Sequence, residues 1–200
     1  GTTQAMAIDE NMDVAFGPTT NVTITNDGNE DTLTLVSTDA DSSFGPNLNF
    51  YRNSSSPADD DLLAQIDFNG RNDNSQDVLY ANIQTQIIDA SDGTEDGRFQ
   101  INTIVAGTDR NRFLLTPTET VFNENSIDLD FRVEGNGKTH LLFVDAGNDH
   151  VNIGASTDRG GLLNIETSDN SVNLALVSTD ADANIGPVLE LYRDSSSPAD

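Results

Sequence analysis

Cysteine and tryptophan are absent from the chain, aromatic residues make up only 6 %, and Lys138 is the only lysine. Without cysteine there are no disulfides and no thiolate metal centres, so the fold rests on packing and hydrogen bonds. With no tryptophan and few aromatics, a cleft that grips sugars by ring stacking is not expected. No apolar run approaches the roughly 20 residues that cross a bilayer. The opening Gly1-Thr2-Thr3-Gln4 lacks the basic and apolar regions of a secretory leader. Neither a membrane span nor a signal peptide is expected. Positive charge is equally scarce: 9 basic residues stand against 34 acidic ones, a formal net charge of -25. Such a surface repels phosphate backbones and anionic lipid, which excludes nucleic acid as a partner. It also keeps a protein hydrated where salt is high.

What the chain does have is a long internal repeat. The segment from Leu33, LTLVSTDADSSFGPNLNFYRNSSSPAD, recurs from Leu174 as LALVSTDADANIGPVLELYRDSSSPAD, identical at most positions and displaced by 174 − 33 = 141. Upstream, Val22-Thr23-Ile24-Thr25 matches Leu163-Asn164-Ile165-Glu166 at the same spacing. Val14-Ala15-Phe16-Gly17 matches Val151-Asn152-Ile153-Gly154 once the intervening loop is allowed to differ in length. Residues 1–150 therefore read as a first unit and 151–200 as the start of a second copy. Tandem copies of a long unit suit an extended assembly in which length grows by duplication. At 35 % hydrophobic, the chain is poor in material for a self-contained core. Association of several chains would supply what is missing.

The patterning is that of strands. Ile127, Leu129, Phe131 and Val133 alternate with Asp128, Asp130, Arg132 and Glu134, which predicts a half-buried strand. Leu62 to Phe68 alternates too, and Leu79 to Ile87 is apolar on both faces, as a strand sandwiched on both sides would be. Further strands are expected at Asn21 to Thr25, Thr32 to Ser37, Leu48 to Arg52, Phe99 to Val105 and His140 to Asp145. Turn chemistry separates them at Asn26-Asp27-Gly28, Asp92-Gly93, Asp96-Gly97, Gly135-Asn136-Gly137 and Gly147-Asn148-Asp149. Ser54 to Asp61 reads as a polar loop. No stretch of ten residues has helical periodicity. The expected class is all-β with little or no helix.

The string GPNLNFYRNSSSPADDDLLAQIDFNGRNDNSQDVLYANI, the IIDASDGTEDGRFQINTIVAG that follows it and the HVNIGAST turn resemble tail-fibre proteins of tailed bacteriophages, especially those infecting marine cyanobacteria. The matching elements span about half the chain. The resemblance implies an elongated homotrimer of interwoven β-strands, with the V-x-I-G element near the end of a shaft unit. It also implies neighbouring fibre or baseplate proteins as partners, and a virion location in the tail fibre. A host-cell receptor would be met by parts of the protein outside this sequence. The self-cleaving chaperone domain often found after such shafts has no counterpart here, so none of its chemistry carries over.

Candidate chemical sites are few. Asp39 and Asp41, repeated as Asp180 and Asp182, set two carboxylates on one side of an extended segment and could ligate Ca²⁺. A solvated acidic turn with local Asx hydrogen bonds is the plainer reading of the same residues. His140 and His150 lie ten positions apart with no cysteine beside them, and hydrogen-bonded strand histidines are the plainer reading there too. With 34 acids, carboxylate pairs suited to glycoside hydrolysis arise by chance and carry no information. No catalytic residue, cofactor or nucleic-acid partner is expected, and the chain is read as a structural fibre segment rather than an enzyme. A bacterial cell-surface adhesin or extracellular filament repeat is the second reading. A polysaccharide-degrading tailspike fragment is the third.

Overall fold

In the computed structural model, residues 6–8, 14–16, 21–168, 170, 172–177 and 189 are described. Among them the chain is all-β, without a helix. It divides into two compact units, Gly1–Phe50 and Tyr51–Asp200. The sequence repeat and the compact units are thus different divisions of one chain, and residue 150, the last of the first repeat copy, opens a strand inside the larger unit.

The smaller unit contains β1 (Met6–Ile8) and β2 (Val14–Phe16), paired antiparallel. Its described remainder carries no strand, so the strands expected at Asn21 to Thr25 and Thr32 to Ser37 are not formed, nor is the one expected at Leu48 to Arg52 across the unit boundary. Alternation marks which side chains could share a face, but a strand also needs a neighbour for its N–H and C=O groups. The repeat makes the point directly. Leu163–Ile165 becomes a strand because Val151–Ile153 lies beside it in parallel register, whereas its counterpart at residues 22–24 has no such neighbour among the described residues.

The larger unit holds two sheets. The first is a meander of β3 (Leu62–Arg71), β4 (Asp77–Asp89), β5 (Asp96–Val105), β6 (Thr108–Leu115) and β7 (Thr120–Phe122), each antiparallel to the next. The expected strands at Leu62 to Phe68, Leu79 to Ile87 and Phe99 to Val105 are its first three. Ala106 and Gly107, with φ of 48° and 77°, join β5 to β6 in a two-residue turn. Two positive φ angles in succession give such a turn the twist that suits a hairpin. Asp96-Gly97, expected as a turn, instead opens β5. The reversal before it is made by Gly93 (φ 85°), with Asp89 accepting a hydrogen bond from the Ser91 N–H at 2.8 Å.

The second sheet runs β11-β10-β9-β8, from β8 (Phe131–Gly135), β9 (Lys138–Asp145), β10 (His150–Ile153) and β11 (Leu163–Ile165). Only its β10–β11 pair is parallel. The strand expected from Ile127 begins at Phe131 instead. The Asn123 side chain takes the place of a ladder there: its amide donates to the Ile127 carbonyl at 2.7 Å and its oxygen accepts from the Ile127 N–H at 3.3 Å. Asparagine competes with regular pairing in just this way, by offering nearby backbone groups a local partner.

The Ser54 to Asp61 loop lies where expected, and its acids are engaged with the sheet. Asp61 pairs with Arg52 at 2.9 Å and Asp59 accepts the Ala90 N–H at 2.9 Å. The Asp60 carbonyl accepts the Gln86 amide at 2.8 Å. The loop thereby fastens the far end of β4.

Candidate functional site

The registers define two faces on each sheet. On one face of the meander, Ile66, Ile83, Ile101, Phe113 and Phe122 stand opposite one another across all five strands. The Phe113 and Phe122 rings are 5.0 Å apart, and Phe122 lies 4.7 Å from Phe131 of the second sheet. From Phe131 the row continues through Val144 and Val151 to Leu163. One apolar stripe, with no carboxylate in it, therefore crosses every strand from β3 to β11.

The opposite faces are polar. Gln100 donates to Gln84 and Gln84 to Gln65, both at 2.8 Å, so a chain of side-chain amides crosses three strands. In the next row Asn102 donates to Asn82 at 3.1 Å, and in the second sheet Asn164 donates to Asn152 at 2.8 Å. Such ladders pin strand register, because a one-residue slip would break every rung.

Burial is the reverse of what a soluble sheet normally shows. The buried residues among those described are Asn82, Gln86, Asn102, Asn152, Leu114 and Phe143. Every one of them lies on the amide-bearing face: Leu114 is in register with Gln100, and Phe143 with Asn152. The apolar stripe contains none. Phe122 is 51 % exposed and Leu163 58 %. The expectation that β4 is sandwiched on both sides holds for one of them: its Asn82 and Gln86 side is closed by lateral neighbours and the acidic loop, while its Ile83 side is half-buried. Leaving the exposed part of such a stripe in water is costly, since a large apolar side chain gains about 1.5–3 kcal/mol on going from fully exposed to fully covered and a half-buried one about half of that.

The residues singled out for chemistry are dispersed. The Asp39 carboxylate accepts the Asp41 N–H at 3.3 Å and the Asp41 carboxylate accepts the Ser43 N–H at 2.7 Å. These are consecutive Asx turns. Asp180 and Asp182 lie outside the described residues. Among the described residues no group of three or more His, Asp or Glu side chains could hold a metal ion. His140 contacts the Thr139 hydroxyl at 3.0 Å and sets its edge against Phe143, while His150 meets Asp158 at 2.9 Å.

The Asp158 contact belongs to a fastening of the β10–β11 connection. Asp158 also accepts the Gly160 N–H at 2.7 Å, and Arg159 grips Glu166 with two donors at 2.9 and 2.7 Å. The Gly160 N–H, then His150, holds the Asp158 carboxyl below its ordinary value, and Arg159 does the same for Glu166. A carboxyl depressed in the folded state contributes stability above its unfolded value and loses it as the pH falls through the folded one. The connection is therefore expected to hold at neutral pH and loosen below the ordinary carboxylate range. Protonation also relieves self-repulsion in so acidic a chain, so the global melting temperature is a poor readout. Amide exchange at residues 158–166 is the direct one: at about pH 3 protection there falls well before that of β4 and β5. Unchanged protection at 158–166 would contradict this.

Comparison with known proteins returned no match: no family model, no curated protein and no solved structure matches this chain.

Proposed function

We propose that the chain is a structural shaft segment of an elongated homotrimeric fibre, the tail fibre of a phage, which holds a distal host-receptor-binding tip away from the virion. The observation that carries this reading is the apolar stripe, which contains no buried residue, set back to back with the amide face that holds every buried residue among those described. A chain with a net charge of -25 approaches its own copies most readily through an uncharged surface, and the stripe is the uncharged surface that is also apolar. Three copies packed stripe to stripe around an axis would bury it and leave the acidic residues outside. The tandem repeat lets the stripe extend as copies are added. Among the described residues the outer edge of β3 is unpaired, and its two register shifts, at Leu62/Ala64 and Phe68/Asn69, interrupt that edge. Irregularities of this kind blunt an edge against runaway pairing. Self-association is thereby directed to the stripe.

Light scattering behind size-exclusion chromatography, with small-angle scattering for shape, tests the proposal on Gly1 to Asp200. The expected mass is three times that of the 21.4 kDa chain, with an elongated profile. A compact monomer at all concentrations would overturn it.

A further inference from the structure

A polar cleft of about 340 Å³ lies between the turn that joins β8 to β9 and the connection after β10. Its chemistry is the opposite of the rest of the surface. No carboxylate lines it in a chain with 34 of them, and it contains the only lysine. Beside Lys138 stand His140 and the hydroxyls of Ser156, Thr157 and Ser168. Among the described residues, none of Lys138, Ser156, Thr157 or Ser168 commits its side chain to a hydrogen bond or ion pair. Glu166 feels the charge of Lys138 but is already taken by the two-pronged Arg159 contact. The ammonium is left to the cleft.

We propose that this cleft binds a small polyhydroxylated monoanion, the chemistry of a hexuronic acid, with Lys138 meeting the carboxylate and Ser156, Thr157 and Ser168 exchanging hydrogen bonds with ring hydroxyls. The volume sits at the lower end of small-molecule sites, about 300–1,000 Å³, which is room for one sugar ring and more than a bare ion fills. A single charge matches a single ammonium, whereas the field of an acidic chain penalises each further negative charge. No aromatic side chain other than the His140 imidazole lines the cleft, so the ligand is held by hydrogen bonds rather than stacking. The cleft is lined by residues of one chain. It gives the shaft a lateral contact for acidic sugars, separate from any tip.

Saturation-transfer NMR with sodium glucuronate, at constant ionic strength, tests this on the protein in whatever assembly it adopts. Saturable transfer is expected with a Kd on the order of 1 mM. Lys138→Met should weaken it at least about tenfold, the effect of losing a charge-assisted hydrogen bond, and the double variant Ser156→Ala, Thr157→Val should weaken it several-fold. Glucose should give no saturable signal, and inorganic phosphate should compete poorly. Absence of transfer up to about 50 mM, far above such a Kd, would overturn the proposal. So would glucose binding as well as glucuronate, phosphate competing equally well, or both folded variants binding like the parent. Circular dichroism establishes that each variant is folded, and if Lys138→Met is not, the hydroxyl variant decides.

Discussion

Replacing Phe122 with aspartate is expected to convert the assembled protein into folded monomers. Phe122 sits at the centre of the apolar stripe, with Phe113 and Phe131 at 5.0 and 4.7 Å on either side. Within one chain it is half in water, on the three-residue strand β7, so its loss costs the monomer two ring contacts and half a side chain of burial but no pairing of the long strands β3 to β6. In an assembly packed stripe to stripe, the same change removes the burial of the remaining half of the ring, about half of the roughly 1.5–3 kcal/mol that full burial contributes, per chain. It also places a carboxylate in an apolar contact bordered by Asp130 as well as Arg112, and burying that charge between chains costs several kcal/mol more for each ion. Around a threefold axis the three carboxylates would repel one another as well. Light scattering should show the mass fall to a third while the far-ultraviolet circular dichroism stays unchanged. Gln65→Glu, an exposed change on the opposite face, should leave the mass as it was. Retention of the assembled mass by Phe122→Asp would show that the stripe is not the contact.

Substituting Gly154 by alanine is expected to unfasten β11. Gly154 follows directly on β10 with φ of +88°, and a Cβ added there would fall on the carbonyl oxygen of Glu166. The residues around it set the parallel pairing: the Glu166 N–H donates to the Ile153 carbonyl at 2.9 Å, and the Gly154 N–H to the Leu141 carbonyl at 3.3 Å. Alanine brings about 1–2 kcal/mol of backbone strain in this conformation, and the clash adds to it because backbone atoms cannot swing aside as a flexible side chain can. The total should exceed about 2 kcal/mol in urea unfolding, with amide protection at Asn164 and Ile165 lost first. Gly93→Ala is the internal control. Gly93 has a similar φ of +85° but open space around it, so only the strain should appear. Equal costs for the two variants would mean that the close approach at Gly154 contributes nothing.

The glycine of the V-x-I-G element is visible in the sequence as a repeated residue at 17 and 154, but its reason is not. That reason is the neighbouring carbonyl of Glu166, brought beside it by a parallel pairing that no periodicity announces. The same holds for Gln65, Gln84 and Gln100, which look unremarkable 16 or 19 positions apart and form one amide chain only once β3, β4 and β5 are in register. Lys138 is legible as the only lysine, yet its companions in the cleft come from as far along the chain as Ser168. Conversely, Asn21 to Thr25, Thr32 to Ser37 and Leu48 to Arg52 carry strand-like composition and form no strand.

By itself the sequence determined the all-β class, the repeat, β3, β4, β5 and β9, and the turns at Asp92-Gly93, Gly135-Asn136-Gly137 and Gly147-Asn148-Asp149. Those follow from local causes: period-2 alternation, β-branched and aromatic residues, and glycine, asparagine and aspartate where the backbone must reverse. Tertiary structure alone decided which face is buried. Alternation separates the residues of a strand into two sets, but whether a set is covered depends on what lies over and beside it. Here neighbouring side chains and the acidic loop close the amide face at Asn82, Gln86 and Asn102, while the apolar stripe stays half-buried beside Ile127 and Leu129, with Phe122 and Leu163 more than half in water.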